Sequence, residues 1–225
     1  MAVQLDFEPA DVKKLFWTLV VIIIALVSIY LIDQTLGPIR EVHEMFDLDA
    51  EGNVPSWFSS TLLFLVGLIF FCTAHRTAPG ARPSRLFLGA AALLFAYLSV
   101  DEAAAVHEHI TWVFDDVPWV PKLRGGHAVW LLLYLGAGAV ALIASRRQLL
   151  AMLKQYRRET IMMAVGIALY AGAAAGLEVV KYQVMPANPS LLQNVVEVAL
   201  EESAEMLGAS ITLCGAALFA FQRLS

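Results

Sequence analysis

Charge is what this chain has least of. Only 16% of its 225 residues are Asp, Glu, Lys or Arg, 59% are apolar, and mean hydropathy is +0.69. Soluble domains carry roughly a quarter charged residues, so an ordinary soluble fold is excluded. The basic residues are scattered in short segments and form no patch for nucleic acid. Cysteine is nearly absent as well: Cys72 and Cys214 stand alone, which excludes a disulfide scaffold or a thiolate metal clip. The chain also lacks the internal repeat that marks inverted-repeat transporters. No small-residue cleavage site follows the first apolar run at 33–36, so that run is expected to remain as an anchor.

Long apolar segments fill the remaining sequence. They predict an all-α, polytopic membrane protein with six helices, over about 15–32, 57–75, 86–107, 127–145, 160–180 and 192–221, forming one transmembrane domain. With the N-terminus in the cytoplasm, the inner segments carry Lys13, Lys14, Arg76, Arg82, Arg85, Arg146, Arg147, Lys154, Arg157, Arg158 and Arg223. The outer ones carry only Arg40, Lys122, Arg124 and Lys181. The positive-inside rule then places both termini in the cytoplasm, in a bacterial inner membrane whose lipids are the one partner in evidence.

Acids are the exception to the apolar rule. Glu197, Glu201, Glu202 and Glu205 head the last segment, where an ionisable group near the centre of a span costs about 2.5–3.5 kcal/mol on insertion scales. At the helical rise, Glu102, Glu178 and Glu205 all fall about 24–26 Å from the inner ends of their helices. Three helices thus deliver carboxylates to one outer layer, with His107, His109 and His127 just above it. On the last helix Asn194, Glu197, Glu201 and Glu205 share a stripe about 80° wide, with Glu202 turned away from it. Such a layer favours a bound cation or proton, because carboxylates held together out of water repel one another. Asp101, Glu102, His107, Glu178, Glu201 and Glu205 are the candidate metal ligands, a divalent ion being the candidate cofactor. Glu108, His109, His127, Asn194, Glu197 and Glu202 are secondary. Neither His-Glu-x-x-His nor Glu-x-x-His occurs, so the spacing selects no particular metal.

Three neighbouring features complete the reading. A continuous third helix would place Asp101 and Glu108 on one face, with Glu102 and His109 beside it. The outer loop opens Asp47-x-Asp49-x-Glu51-Gly52 like a calcium loop, yet Phe58 stands where a bidentate glutamate is needed; a polar lid over the acids, with Pro55 opening the next helix, is the better expectation. Gly172 and Gly176 predict a close helix contact in the fifth span, and Lys181 stands one turn beyond Glu178 as a candidate ion-pair partner.

The phrases Pro55-Ser-Trp57-Phe-Ser-Ser60, Leu98-Ser-Val-Asp101-Glu102 with His107-Glu108, Gly176-Leu-Glu178 and Glu201-Glu202-x2-Glu205-Met-Leu-Gly208 resemble a group of bacterial six-helix membrane proteins without an assigned activity. The resemblance spans nearly the whole chain and singles out Asp101, Glu102, His107, Glu178, Glu201, Glu202 and Glu205. More distantly, the chain is similar to membrane metal-dependent hydrolases of the alkaline ceramidase type, which also gather acids and histidines in a helical bundle. It departs from them in having six helices and neither Ser-x3-His nor His-x3-His. Three functions follow as expectations: a periplasm-facing cation or proton site; a metal-dependent hydrolase acting on a lipid-like substrate, with a glutamate as general base; or a cation- or proton-coupled transporter or accessory subunit.

Overall fold

The computed structural model describes residues 9–37, 39–114, 116–124 and 129–224. Among them the secondary structure is helical: α1 (Pro9–Leu36), α2 (Arg40–Phe46), α3 (Val54–Arg76), α4 (Arg85–Ala104), α5 (Val106–Phe114), α6 (Val129–Gln155), α7 (Arg157–Val179), a π-helical turn (Val180–Val184) and α8 (Leu191–Leu224). Six of these, α1, α3, α4, α6, α7 with its π turn, and α8, are long and apolar enough to cross a membrane. The six-helix all-α architecture expected from the sequence is therefore present.

Local chemistry starts the helices where it should. Asn53 accepts from the Ser56 amide while Ser56 Oγ accepts from the Asn53 amide at 3.1 Å, a reciprocal cap that opens α3 with Pro55 in its first turn. Ser84 caps α4 through the Phe87 amide. At α8, Ser190 and Gln193 close the same kind of box, with distances of 2.9 and 3.3 Å.

Helix α8 is the axis of the bundle. It packs against α7, α3 and α1, and α3 packs in turn against α4. The apolar window of α8 is 61% buried, whereas that of α6 is only 11% buried, so α6 lies at the periphery. The tightest contact joins α7 to α8. A Cβ at Gly208 would stand 2.5 Å from the Tyr170 amide nitrogen, and one at Gly166 would stand 2.6 Å from the Gly208 carbonyl oxygen. Small residues let two backbones meet this closely. Gly67 plays the same part in α3, where a Cβ would meet the Ala92 carbonyl at 3.0 Å.

Several expectations change here. Gly172 and Gly176 open onto empty space, so the close contact of α7 belongs to Gly166, a turn and a half deeper. The third span stops at Ala104: Ala105 adopts φ 48°, in the left-handed region that is uncommon for a residue with a side chain, and α5 starts afresh. Asp101 and Glu108 therefore sit on different helices. Arg146 and Arg147 lie inside α6, which runs to Gln155, instead of in a loop. The start of the fourth span, with His127, falls outside the described residues.

The two ends of the bundle differ. At one end the Cys214 thiol lies against the Val12 carbonyl, and Arg223 donates to the carbonyls of Arg82 and Pro83 and to Tyr156 Oη. At the other end, buried Asp33 accepts from the Ile39 amide and meets His43 Nδ1 at 2.9 Å, and His43 Nε2 faces Asp47 at 3.4 Å. This acid–imidazole–acid chain fastens α2 and the following loop to α1.

Substitution separates the two glycine pairs. Gly208→Ala drives a methyl into the α7 backbone and should cost about 1–3 kcal/mol, roughly 2–10 °C in melting temperature for a chain of this size. Gly172→Ala should be neutral or stabilising, because helix propensity improves with nothing to displace. Thermal unfolding of the two detergent-purified variants checks this, and equal losses would refute the assignment.

Candidate functional site

The outer end gathers the acids in two linked groups. The inner group forms where α4, α7 and α8 meet. Glu102 is buried near the end of α4 and accepts a hydrogen bond from Tyr170 Oη of α7 at 2.9 Å. Buried Glu205 and half-buried Glu202 of α8 lie within electrostatic reach of Glu102. Ser59, fully buried on α3, faces Glu102. The second group lies between α8 and the outer loop. Lys181 Nζ, on the π turn, is 3.3 Å from Asp49 and 3.8 Å from Glu197. Glu201 stands beside Glu197, and both of the buried Glu197 oxygens lack a hydrogen-bond donor.

Asp101 organises the rim. Buried at the last turn of α4, it accepts from the His107 amide at 2.8 Å and faces the His107 ring at 3.4 Å. It thus caps α5 and orients the imidazole. Trp130 meets that ring edge-on at 5.1 Å, which docks the outer end of α6 on the site. Glu178, half-buried, lies near Lys181, Trp130 and His107. The other expected residues turn outward. Glu108 and His109 are exposed; His109 Nδ1 donates to the Ala105 carbonyl at 2.8 Å and its ring lies 4.6 Å from that of Trp112. Asn194 is half-buried in the first turn of α8.

One detail of the sequence reading is revised. Lys181 forms its ion pairs with Asp49 and Glu197, across to the loop and α8, and not with Glu178. Glu202, which projects off the stripe of α8, lies within electrostatic reach of Glu102 and so joins the inner group. Among the described residues, no three His, Cys, Asp or Glu side chains are grouped as a metal ion would need.

Sequence reasoning missed Tyr170 and Ser59, and it placed Glu51 only in a loop over the acids. Tyr170 had a usable signal, since a tyrosine in mid-span is not at the interface where the ring normally anchors. Glu51 reaches the site from the loop. Its surface is exposed, yet the protein crowds its carboxyl, and that burial, followed by the charge of Glu102, pushes its pKa up to about 8. At His107 burial opposes the charged ring, but the hydrogen bond and charge of Asp101, with Glu51 and Glu108, outweigh it and raise the pKa above its ordinary value.

The chain matches a family model, described as a domain of unknown function (DUF8692), over residues 15–220. It is a member of that family. Neither curated proteins nor solved structures gave a match.

Both raised groups bind protons more tightly in the folded than in the unfolded state, so stability falls as pH rises. For Glu51 the loss runs from its ordinary value near 4.5 up through about 8. For His107 it begins at about 6.5 and continues through the folded value. Melting temperature measured against pH should decline across this window. Glu51→Gln should flatten the lower part, and Asp101→Asn should lower the melting temperature most on the acid side, where the charged imidazole is paired. A profile in Glu51→Gln that overlays the wild type would show that the loop carboxyl does not contribute.

Proposed function

We propose that the chain is a multi-pass protein of the bacterial inner membrane, with both termini cytoplasmic, whose carboxylate groups form a proton-binding site facing the periplasm. The orientation rests on the basic loops gathered at one end of the bundle and the acids at the other. One observation carries the site. Glu197 and Glu201 lie side by side with the Glu197 oxygens buried and without a donor. A hydrogen bond between two carboxylates exists only when one of them holds a proton. The inner group reinforces this, since Glu102, Glu202 and Glu205 are near one another and the Tyr170 hydroxyl donates to Glu102 alone.

The competing readings have less support. A through-path needs polar groups below the site, but the α7–α8 contact at Gly166 and Gly208 closes the bundle there, and Thr212 donates to the Gly208 carbonyl of its own helix. A proton would then enter and leave from the same side, as in a sensor or an accessory subunit. A hydrolase acting on lipid needs a lateral entry. An apolar cleft of about 280 Å³ does open between α1 and α7, lined by Val20, Ile23, Leu169, Leu200, Ser203 and Leu207. It lies about 120° around α8 from Glu201 and Glu205, so it does not lead to the acids.

Infrared difference spectroscopy tests the reading. Wild-type protein at neutral pH should show a protonated-carboxyl carbonyl band that weakens in Glu201→Gln and again in Glu201→Gln/Glu205→Gln. Absence of the band would overturn the proposal. So would stoichiometric metal in the purified protein that disappears in Glu102→Gln/Glu205→Gln, a result that would restore the metal-site reading.

A further inference from the structure

Among the described residues, Lys181 is the one lysine or arginine with ion pairs to these acidic groups, and it reaches them from an unusual place. It sits on the π turn that ends α7, a feature that often marks functional positions. Its ammonium bridges two elements distant in sequence: Asp49 at 3.3 Å on the outer loop and Glu197 at 3.8 Å on α8, with Glu201 in electrostatic reach. The contact to Glu197 is too long for a hydrogen bond, and Glu197, only 5% exposed, leaves both oxygens without one. The pocket thus holds a cation loosely while acceptor capacity goes unused.

We propose that Asp49, Glu197 and Glu201 form a binding compartment for a primary ammonium group, filled in cis by the Lys181 side chain, which fastens the outer loop over the acidic groups. The proposal deepens the proton-binding reading, on which it rests only for the consequence that loop opening controls access to the carboxylates. Asp49 is the sole contact of this compartment contributed by the loop, and Glu51, two residues on, faces the inner group. Releasing Lys181 therefore frees the segment that carries Glu51. A primary ammonium offers three donors, one of which Asp49 accepts at 3.3 Å, whereas a quaternary ammonium offers none.

Chemical rescue tests this in the detergent-purified full chain. Lys181→Ala should lower the melting temperature by several degrees. Millimolar ethylammonium should restore at least half of the loss, while tetramethylammonium at the same ionic strength should restore none and wild type should respond to neither. Asp49→Asn/Lys181→Ala should not be rescued. Equal effects of the two cations, or no change in melting temperature on losing Lys181, would overturn the proposal. If Lys181→Ala does not fold, wild type carries the test: acylation of Lys181 by an amine-reactive ester, followed by mass spectrometry, should be at least tenfold slower than that of Lys14 and should accelerate in Asp49→Asn. Similar rates in wild type and Asp49→Asn would refute it. The infrared band reports the proton-binding reading independently, so failure of either leaves the other legible.

Discussion

The approach of α7 to α8 at Gly166 and Gly208 is the contact on which the outer site depends. Because the Tyr170 backbone lies against Gly208, its ring rises beside Glu205, one turn away on α8, and its hydroxyl reaches Glu102 on α4. Three spans are thereby brought to one point by a packing feature that contains no charge. The same approach leaves little space below. A side chain at either glycine would separate the helices, remove the donor from Glu102 and open the floor together. Packing and polarity are therefore not separable here: the apolar contact decides which polar groups can meet.

The site itself is governed by an imbalance. Glu51, Glu102, Glu178, Glu197, Glu201, Glu202 and Glu205 converge on a region whose cationic partners are Lys181 and, when protonated, His107. Buried ionic groups need both opposite charge and hydrogen bonds to offset their lost hydration. Lys181 serves the outer group, and Asp101 holds His107 at the rim. The inner group has Tyr170. A proton is the smallest way to meet what remains, since it converts an acceptor pair into a hydrogen bond without enlarging the space between helices.

Much of this was legible in the sequence, and the gaps have physical causes. The helix count and Pro55 at the start of α3 follow from periodicity and from the preference of proline for a first helical turn. What failed was anything that depended on which neighbour a helix meets. Gly172 and Gly176 have the favoured spacing but face outward, whereas Gly166 and Gly208 lie on different helices and form no motif in either. The break at Ala105 was equally hidden. Alanine is the best helix former, and it takes a left-handed conformation here as Asp101 accepts from the His107 amide in the first turn of α5. Lys181 was read as the partner of Glu178 because one-turn spacing is visible in a sequence and an ion pair to Asp49 is not.

The loop adds a further constraint on what the site can be. Asp33, His43 and Asp47 tie its beginning to α1, and Asn53 ties its end to the first turn of α3, so both ends of the segment are fixed. Between them Leu48 is buried, while Asp49 and Glu51 reach the two carboxylate groups. A segment anchored at both ends can lift only in its middle, which is held by Asn53 Nδ2 donating to the Asp47 and Ala50 carbonyls, by the buried side chain of Leu48 and by one ion pair, to Lys181. An interaction of that size is readily disrupted by a change in charge state, whereas the glycine contact below is not. The structure thus combines a close-packed floor at Gly166 and Gly208 with a loop whose charged contact to the π turn is the Lys181–Asp49 pair.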